Sequence, residues 1–250
     1  MENLKYDKLK NPPVKETVIG IGINNYFNNI EPTPLYAELL KVYPRKGLIH
    51  NTRVTMGKGQ VFGGDEICGY CFQTDDQKQS IVVDNQGIAF ADRSAYAGFD
   101  GFYEKFKTVC DIIQKNKPIE KCSQLALKYV NQFYLDQDEL NSEQPKQPKI
   151  KFLPNFNNIK DDGTNVFAQV ARFSGNYLLQ SVKNTEIKAF INTDLQFVGD
   201  PPKLRTLFVI DTVINMNDIK NIDTRIKQLR DFKNTIFFEN VNKDIKEFSK

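Results

Sequence analysis

The sequence predicts an α+β protein built on antiparallel sheet, and three observations carry that prediction. Strand-like segments of alternating apolar and polar residues outnumber helical ones. They come in runs instead of alternating one-for-one with helices, which argues against a parallel α/β sheet. The turns between them are short and rich in Gly, Asn and Asp, as antiparallel connections require.

The elements follow in order. Asn11-Pro12-Pro13 ends a polar lead-in, and residues 14–23 alternate as a strand, with Val14, Glu16, Val18 and Gly20 set against Thr17, Ile19, Ile21 and Ile23. Thr33-Pro34 reads as a helix start. Thr33 is the N-cap and Pro34 takes the first helical position, where its missing N–H costs nothing. Leu35, Leu39 and Val42 share one helical face, and Pro44 closes the helix. Residues 54–62, 66–72 and 80–84 read as strands. Gly63-Gly64-Asp65 is the expected hairpin turn between the first two, and Asn85-Gln86-Gly87 turns the chain into residues 88–90. Phe99, Phe102, Phe106, Val109 and Ile113 recur at helical spacing up to Lys117-Pro118. Residues 125–135 then alternate as a strand with Leu125, Leu127, Tyr129, Phe133 and Leu135 on one face, a face that Asn131 interrupts.

From 136 to 151 apolar residues nearly vanish and a Gln-Pro-Lys unit repeats, the composition of a polar linker or extended surface loop. Beyond it, residues 166–173, 177–182, 186–197 and 204–215 read as an antiparallel meander. Its turns are expected at Gly175-Asn176, Asn184 and Gly199-Asp200-Pro201-Pro202. An amphipathic helix over about residues 223–248 closes the chain, with Ile226, Leu229, Ile236, Phe237, Val241, Ile245 and Phe248 on its buried face. The division is therefore a first half over 1–136, a linker over 137–151 and a second half over 152–250. Each is a mainly antiparallel sheet half. The first carries two helices, in the manner of a ferredoxin-like or related split unit, and the long final helix packs on the second. Each half lacks a helix for its other face, so the two are expected to bury those faces against each other in one core.

Composition narrows the function. The chain has 250 residues with 40% apolar content, and 19 Phe and 10 Tyr supply large side chains for a core without Trp. Its 34 basic and 31 acidic residues leave a net charge of +3, scattered and interleaved as in Lys243, Asp244, Lys246 and Glu247. That is too weak to imply a nucleic-acid or membrane surface. No apolar run approaches the ~20 residues of a membrane span. The opening residues lack the apolar core of a signal peptide, and four cysteines do not make a disulfide scaffold, so a cytoplasmic protein with reduced thiols is expected.

Several segments resemble, in order and spacing, a sporadically distributed prokaryotic family whose biochemical role is unassigned. Residues 9–18 are similar to its Asn-(Ala/Pro)-Pro-apolar-x-Glu-(small)-Val opening, and residues 80–92 to its two-strand stretch. Residues 96–102 are similar to its Tyr-x-Gly-aromatic-x-x-Phe helix start, and residues 127–131 to its apolar-Arg-Tyr-Ile-Asn strand, with Lys128 in the place of Arg. Residues 208–211 and the closing helix resemble its C-terminal end, although residues 238–242 follow it only loosely. The resemblance implies a bacterial protein, an accessory component of a mobile or defence-linked system. It transfers no catalytic residue.

The candidate chemistry is sparse. His50 is the only histidine, expected in a loop within a small basic cluster of Arg45, Lys46 and Arg53; it is a candidate acid–base residue for metal-independent RNA processing. A lone histidine excludes a multi-histidine metal centre by count. Cys68 and Cys71 have knuckle spacing, yet they fall in a strand, where positions three apart point to opposite faces; no metal and no cofactor are expected. The glycines form no phosphate loop. Glu16, an acid early in an apolar strand, and Asn131, a break in an apolar face, each need a partner. With Tyr129 they are the candidate ligand-binding residues. The expectation is a non-catalytic interaction or regulatory protein with another protein as partner. The alternatives are a small-ligand binder, with aromatic residues lining a cleft between the halves, and an RNA-processing enzyme using His50.

Overall fold

Alternation decides the sheet, and a computed structural model shows how far it extends. The model describes residues 12–24, 26, 34–57, 60–116, 118–135, 172–199 and 203–241. The elements are β1 (Val14–Gly22), α1 (Pro34–Val42), β2 (Arg45–Gly57), β3 (Gln60–Gln73), β4 (Gln79–Asp84) and β5 (Gly87–Asp92). They continue with α2 (Phe99–Asn116), β6 (Gln124–Leu135), β7 (Arg172–Gln180), β8 (Ile187–Val198), β9 (Lys203–Asn215) and α3 (Ile222–Asn240). The expected linker over 137–151 and the Thr33 cap lie outside the described residues.

The nine strands of the described residues form a single antiparallel sheet in the order β2-β3-β4-β5-β1-β6-β9-β8-β7. The two halves of the chain therefore meet edge to edge, through the β6–β9 ladder from Gln124↔Asn215 to Leu135↔Leu204, and not face to face as the sequence suggests. Twelve consecutive paired positions satisfy the backbone groups of both strands, which stacking would have left at two open edges.

The pleat sorts residues between two faces. One row of cross-strand partners runs Phe72, Ile81, Phe90, Ile19, Leu127, Thr212 and Ala189, and every member is buried. The three helices cover this face. In α1 the Tyr36 ring lies 5.4 Å from Phe72; in α2 Phe102 stacks 5.5 Å from Phe90; in α3 Phe237 stacks 6.3 Å from Phe208. The aromatic spacing read from the sequence is the buried face of α2: Phe99, Phe102, Phe106, Val109 and Ile113 are all buried.

Two glycines permit this architecture. The β4–β5 hairpin turns where expected, through Asn85 and Gln86 with Gly87 already paired in β5, and Asp84 Oδ1 accepts from the N–H groups of Gln86 (2.8 Å) and Gly87 (3.0 Å). Gly87 adopts φ +140°, and a Cβ there would overlap the Ile21 carbonyl. At Gly69 a Cβ would lie 2.5 Å from the Val83 carbonyl oxygen, so β3 approaches β4 only with glycine.

The structure corrects three boundaries. The β2–β3 hairpin turns between Gly57 and Gln60, and Gly63 and Gly64 lie inside β3, paired with Val54 and Arg53. Cross-strand pairing overrides the turn propensity of the Gly-Gly-Asp segment, and it also places His50 in a strand instead of a loop. Gly175 and Asn176 likewise lie within β7, opposite Thr193 and Asn192. The final helix ends at Asn240. Val241 is extended (φ −96°, ψ 124°) and donates its N–H to the Phe237 carbonyl at 2.8 Å. Ile226, Leu229, Ile236 and Phe237 form the buried stripe of α3 as expected; Val241 is buried beyond the helix, and Ile245 and Phe248 lie outside the described residues.

Candidate functional site

The expected site residues do not converge. His50 is exposed on β2, an edge of the described sheet, where β3 bulges by one residue at Cys68. Arg45 donates to the Asp75 carbonyl at 3.4 Å, and Lys46 sits 4.0 Å over the Tyr70 ring, so each has a structural neighbour in place. Glu16 shares a face with its cross-strand partner Val130, whereas Thr17 and its partner Tyr129 face the helices. The Glu16 carboxylate pairs with Arg93 at 2.7 Å, which supplies the partner an acid in an apolar strand needs. Cys68 donates weakly to the Ile49 carbonyl at 3.5 Å. Burial pushes the Cys71 and Cys122 thiols up and raises Cys110 to about 12, opposite to the shift that activates a thiol. Among the described residues no group of His, Cys, Asp or Glu is arranged to hold a metal, and no helix is long and apolar enough to cross a membrane.

Tyr129 and Asn131 do come together, beneath α3. Both are completely buried; Asn131 Nδ2 donates to the Phe208 carbonyl at 3.0 Å, and the Tyr129 hydroxyl lies 3.2 Å from that of Tyr96. Lys233 completes the group, 1% exposed, with its ammonium 3.7 Å from the centre of the Tyr129 ring. A cation held this deep against a ring face is stabilised by the ring quadrupole in a low-dielectric setting. Beside it, Tyr103 of α2 donates to Asp223 at the start of α3, and Arg230 lies 4.7 Å over Phe99. These contacts lock the helices to the sheet and to one another.

The opposite face is different. Among the described residues no helix lies on it. Its middle row of cross-strand partners runs Ala91, Val18, Lys128, Asp211, Phe190 and Leu178. Phe190 is 50% and Leu178 61% exposed, neighbours on adjacent strands. With Lys128, Asn176, Asn192, Val209 and Asp211 they line a hollow of about 370 Å³, within the usual range of small-molecule pockets. Asn192 Nδ2 donates to Asn176 Oδ1 at 2.7 Å and fixes one wall. Asp211 Oδ1 is sealed from solvent and has no hydrogen-bond partner among the described residues. Burial raises the Asp211 carboxyl above the ordinary aspartate value, and the nearby Lys128 charge offsets this only in part.

The sequence held signals for these residues. Lys233 falls on the Ile226, Leu229, Ile236 stripe at helical spacing, and Asp211 is the one charge within the run 207–214 of the strand. No protein-family model matches the sequence, and no curated protein matches it. Fold and hollow therefore define the class by themselves: an α+β protein with helices on one face of a broad antiparallel sheet and a polar-floored apolar hollow on the other.

Proposed function

We propose that this protein works by binding a small amphipathic molecule on the open face of its sheet, not by catalysis. One observation carries the reading: two exposed apolar side chains, Phe190 and Leu178, stand in line with a carboxylate whose Oδ1 is sealed from solvent and unpartnered among the described residues. Exposed apolar area beside an unsatisfied buried acceptor is costly in the free protein, and a ligand relieves both costs. The hollow draws on both halves, Lys128 from the first and Phe190, Leu178 and Asp211 from the second. His50 stands six strands from β9 in the sheet order, so the RNA-processing alternative gains no help from these groups. A place in the prokaryotic family that the sequence resembles belongs to the same proposal. Its support is that two motif segments meet in the fold, at the Tyr96 and Tyr129 hydroxyls.

The test is chemical-shift mapping of the full chain with a library of aromatic and aliphatic fragments. Hits should perturb the β7–β9 face and lose their effect in Phe190→Ala. Hits that map elsewhere sink the reading. So does capture of a protein by that face with no fragment hit there, which would replace the small ligand by a docked chain.

A further inference from the structure

Resting on that reading of the open face, we propose that the hollow recognises a small zwitterion with an apolar side chain, a free α-amino acid of the phenylalanine or leucine type. The two charged groups of the hollow have opposite sign and are direct cross-strand partners, Lys128 on β6 and Asp211 on β9. Side chains so placed have Cβ atoms ~4.5–5.5 Å apart. They nevertheless form no ion pair within 4.0 Å among the described residues, and Asp211 Oδ1 accepts no hydrogen bond. The pair is thus left unspent: a cation stands beside a carboxylate whose sealed Oδ1 has no donor among the described residues, and a ligand reaches that oxygen only by displacing the side chains over it.

An α-amino acid carries the complementary pair on one carbon. Its ammonium supplies the donor that Asp211 lacks, and its carboxylate takes the Lys128 ammonium, both as charge-assisted hydrogen bonds. Phe190 is the cross-strand neighbour of Asp211 on its other side, and Leu178 follows on β7, so an apolar side chain leaving the same carbon has a surface to cover. A plain amine satisfies only Asp211 and a plain carboxylate only Lys128. Burial of Asp211 acts in the same direction, because a ligand ammonium restores the charged form that desolvation disfavours.

Calorimetric titration of the full chain tests this with four probes: L-phenylalanine, N-acetyl-L-phenylalanine, L-phenylalaninamide and 2-phenylethanol. L-phenylalanine should bind with 1:1 stoichiometry, and capping its ammonium or its carboxylate should each weaken binding by about tenfold or more. The variants should cross over. Asp211→Asn should weaken L-phenylalanine and the amide but spare the acetylated probe, and Lys128→Met should weaken L-phenylalanine and the acetylated probe but spare the amide. Equal binding of all four probes, or L-phenylalanine binding indifferent to Asp211→Asn, overturns the charge recognition. If only 2-phenylethanol binds and perturbs Phe190, the zwitterion is wrong while the open-face reading stands. If no probe perturbs Phe190, the zwitterion proposal fails whatever the fragment library shows.

Discussion

β6 and β9 each serve two faces with alternate residues, and polar side chains meet opposite fates on them. Under the helices, Asn131 donates to the Phe208 carbonyl, Thr212 donates to the Leu127 carbonyl at 2.9 Å, and the Tyr129 hydroxyl meets that of Tyr96. One residue away on the other face, Lys128 and Asp211 stand side by side without an ion pair to each other, and one carboxylate oxygen has no donor among the described residues. On β6 and β9 the covered face engages its polar groups because the helices exclude water there, although on the helices themselves Tyr36 Oη, Arg230 Nε and Asn234 Oδ1 are buried without a hydrogen-bond partner among the described residues. The open face keeps a polar pair unspent among apolar side chains. The first arrangement is what a core requires; the second serves the fold poorly and is suited to a ligand.

Substitutions at four positions probe that contrast. The largest effect is expected for Phe208→Ala on the covered face. It removes a fully buried ring stacked on Phe237 and should cost about 3–5 kcal/mol, read by denaturant unfolding. A loss below about 1 kcal/mol would show that α3 is not seated on β9 as described. Next is Lys233→Ala, which takes a buried cation and its stem from beneath the Tyr129 ring and should cost about 2–4 kcal/mol. Lys233→Met keeps the stem, so the difference between the two variants separates packing from charge.

Asp211→Asn should act in the opposite direction. The folded-state carboxyl has a raised pKa, so the folded chain holds that proton more tightly than the unfolded one. The associated stability is fully present below the unfolded pKa and is lost as pH rises through the folded pKa. At neutral pH the variant should therefore be more stable, by about 1 kcal/mol or less, a Tm rise of about 3 °C at most. The gain should fade in scans carried down towards pH 3, and a gain that persists there would assign the effect to something other than ionisation. The smallest effect is expected for Phe190→Ala, within about 0.5 kcal/mol of wild type, because half of the ring is already in water. A large loss would mean that Phe190 belongs to the core and that the two faces do not differ as described.

Much of the fold was legible because it depends on local periodicity. Phe99 to Ile113 marked α2, Asn85-Gln86-Gly87 marked a turn, and the alternation about Leu127 and Tyr129 marked β6 together with its inward face. Turn positions were less legible where two glycine-bearing segments competed. The stretch from 57 to 65 contains several glycines, and only the pairing of Gly63 with Val54 and Gly64 with Arg53 decides that the chain reverses before Gln60. Of the candidate site residues, Glu16 and Asn131 were recognisable as polar intruders needing partners; that Arg93 and the Phe208 carbonyl would be those partners was not recognisable.

The sequence by itself determined the α+β class and the inward faces of α2 and β6, whereas Val42, read on the buried face of α1 with Leu35 and Leu39, is exposed. The class and those two faces follow from side-chain periodicity and residue type, which act over a few positions. Tertiary structure alone decided that the halves join as one sheet through Lys128↔Asp211 and its neighbours, and that Phe190 and Leu178 extend that row on the face without described helices. Strand order and register between segments some eighty residues apart depend on contacts between elements distant in the chain, and no window of sequence contains that choice.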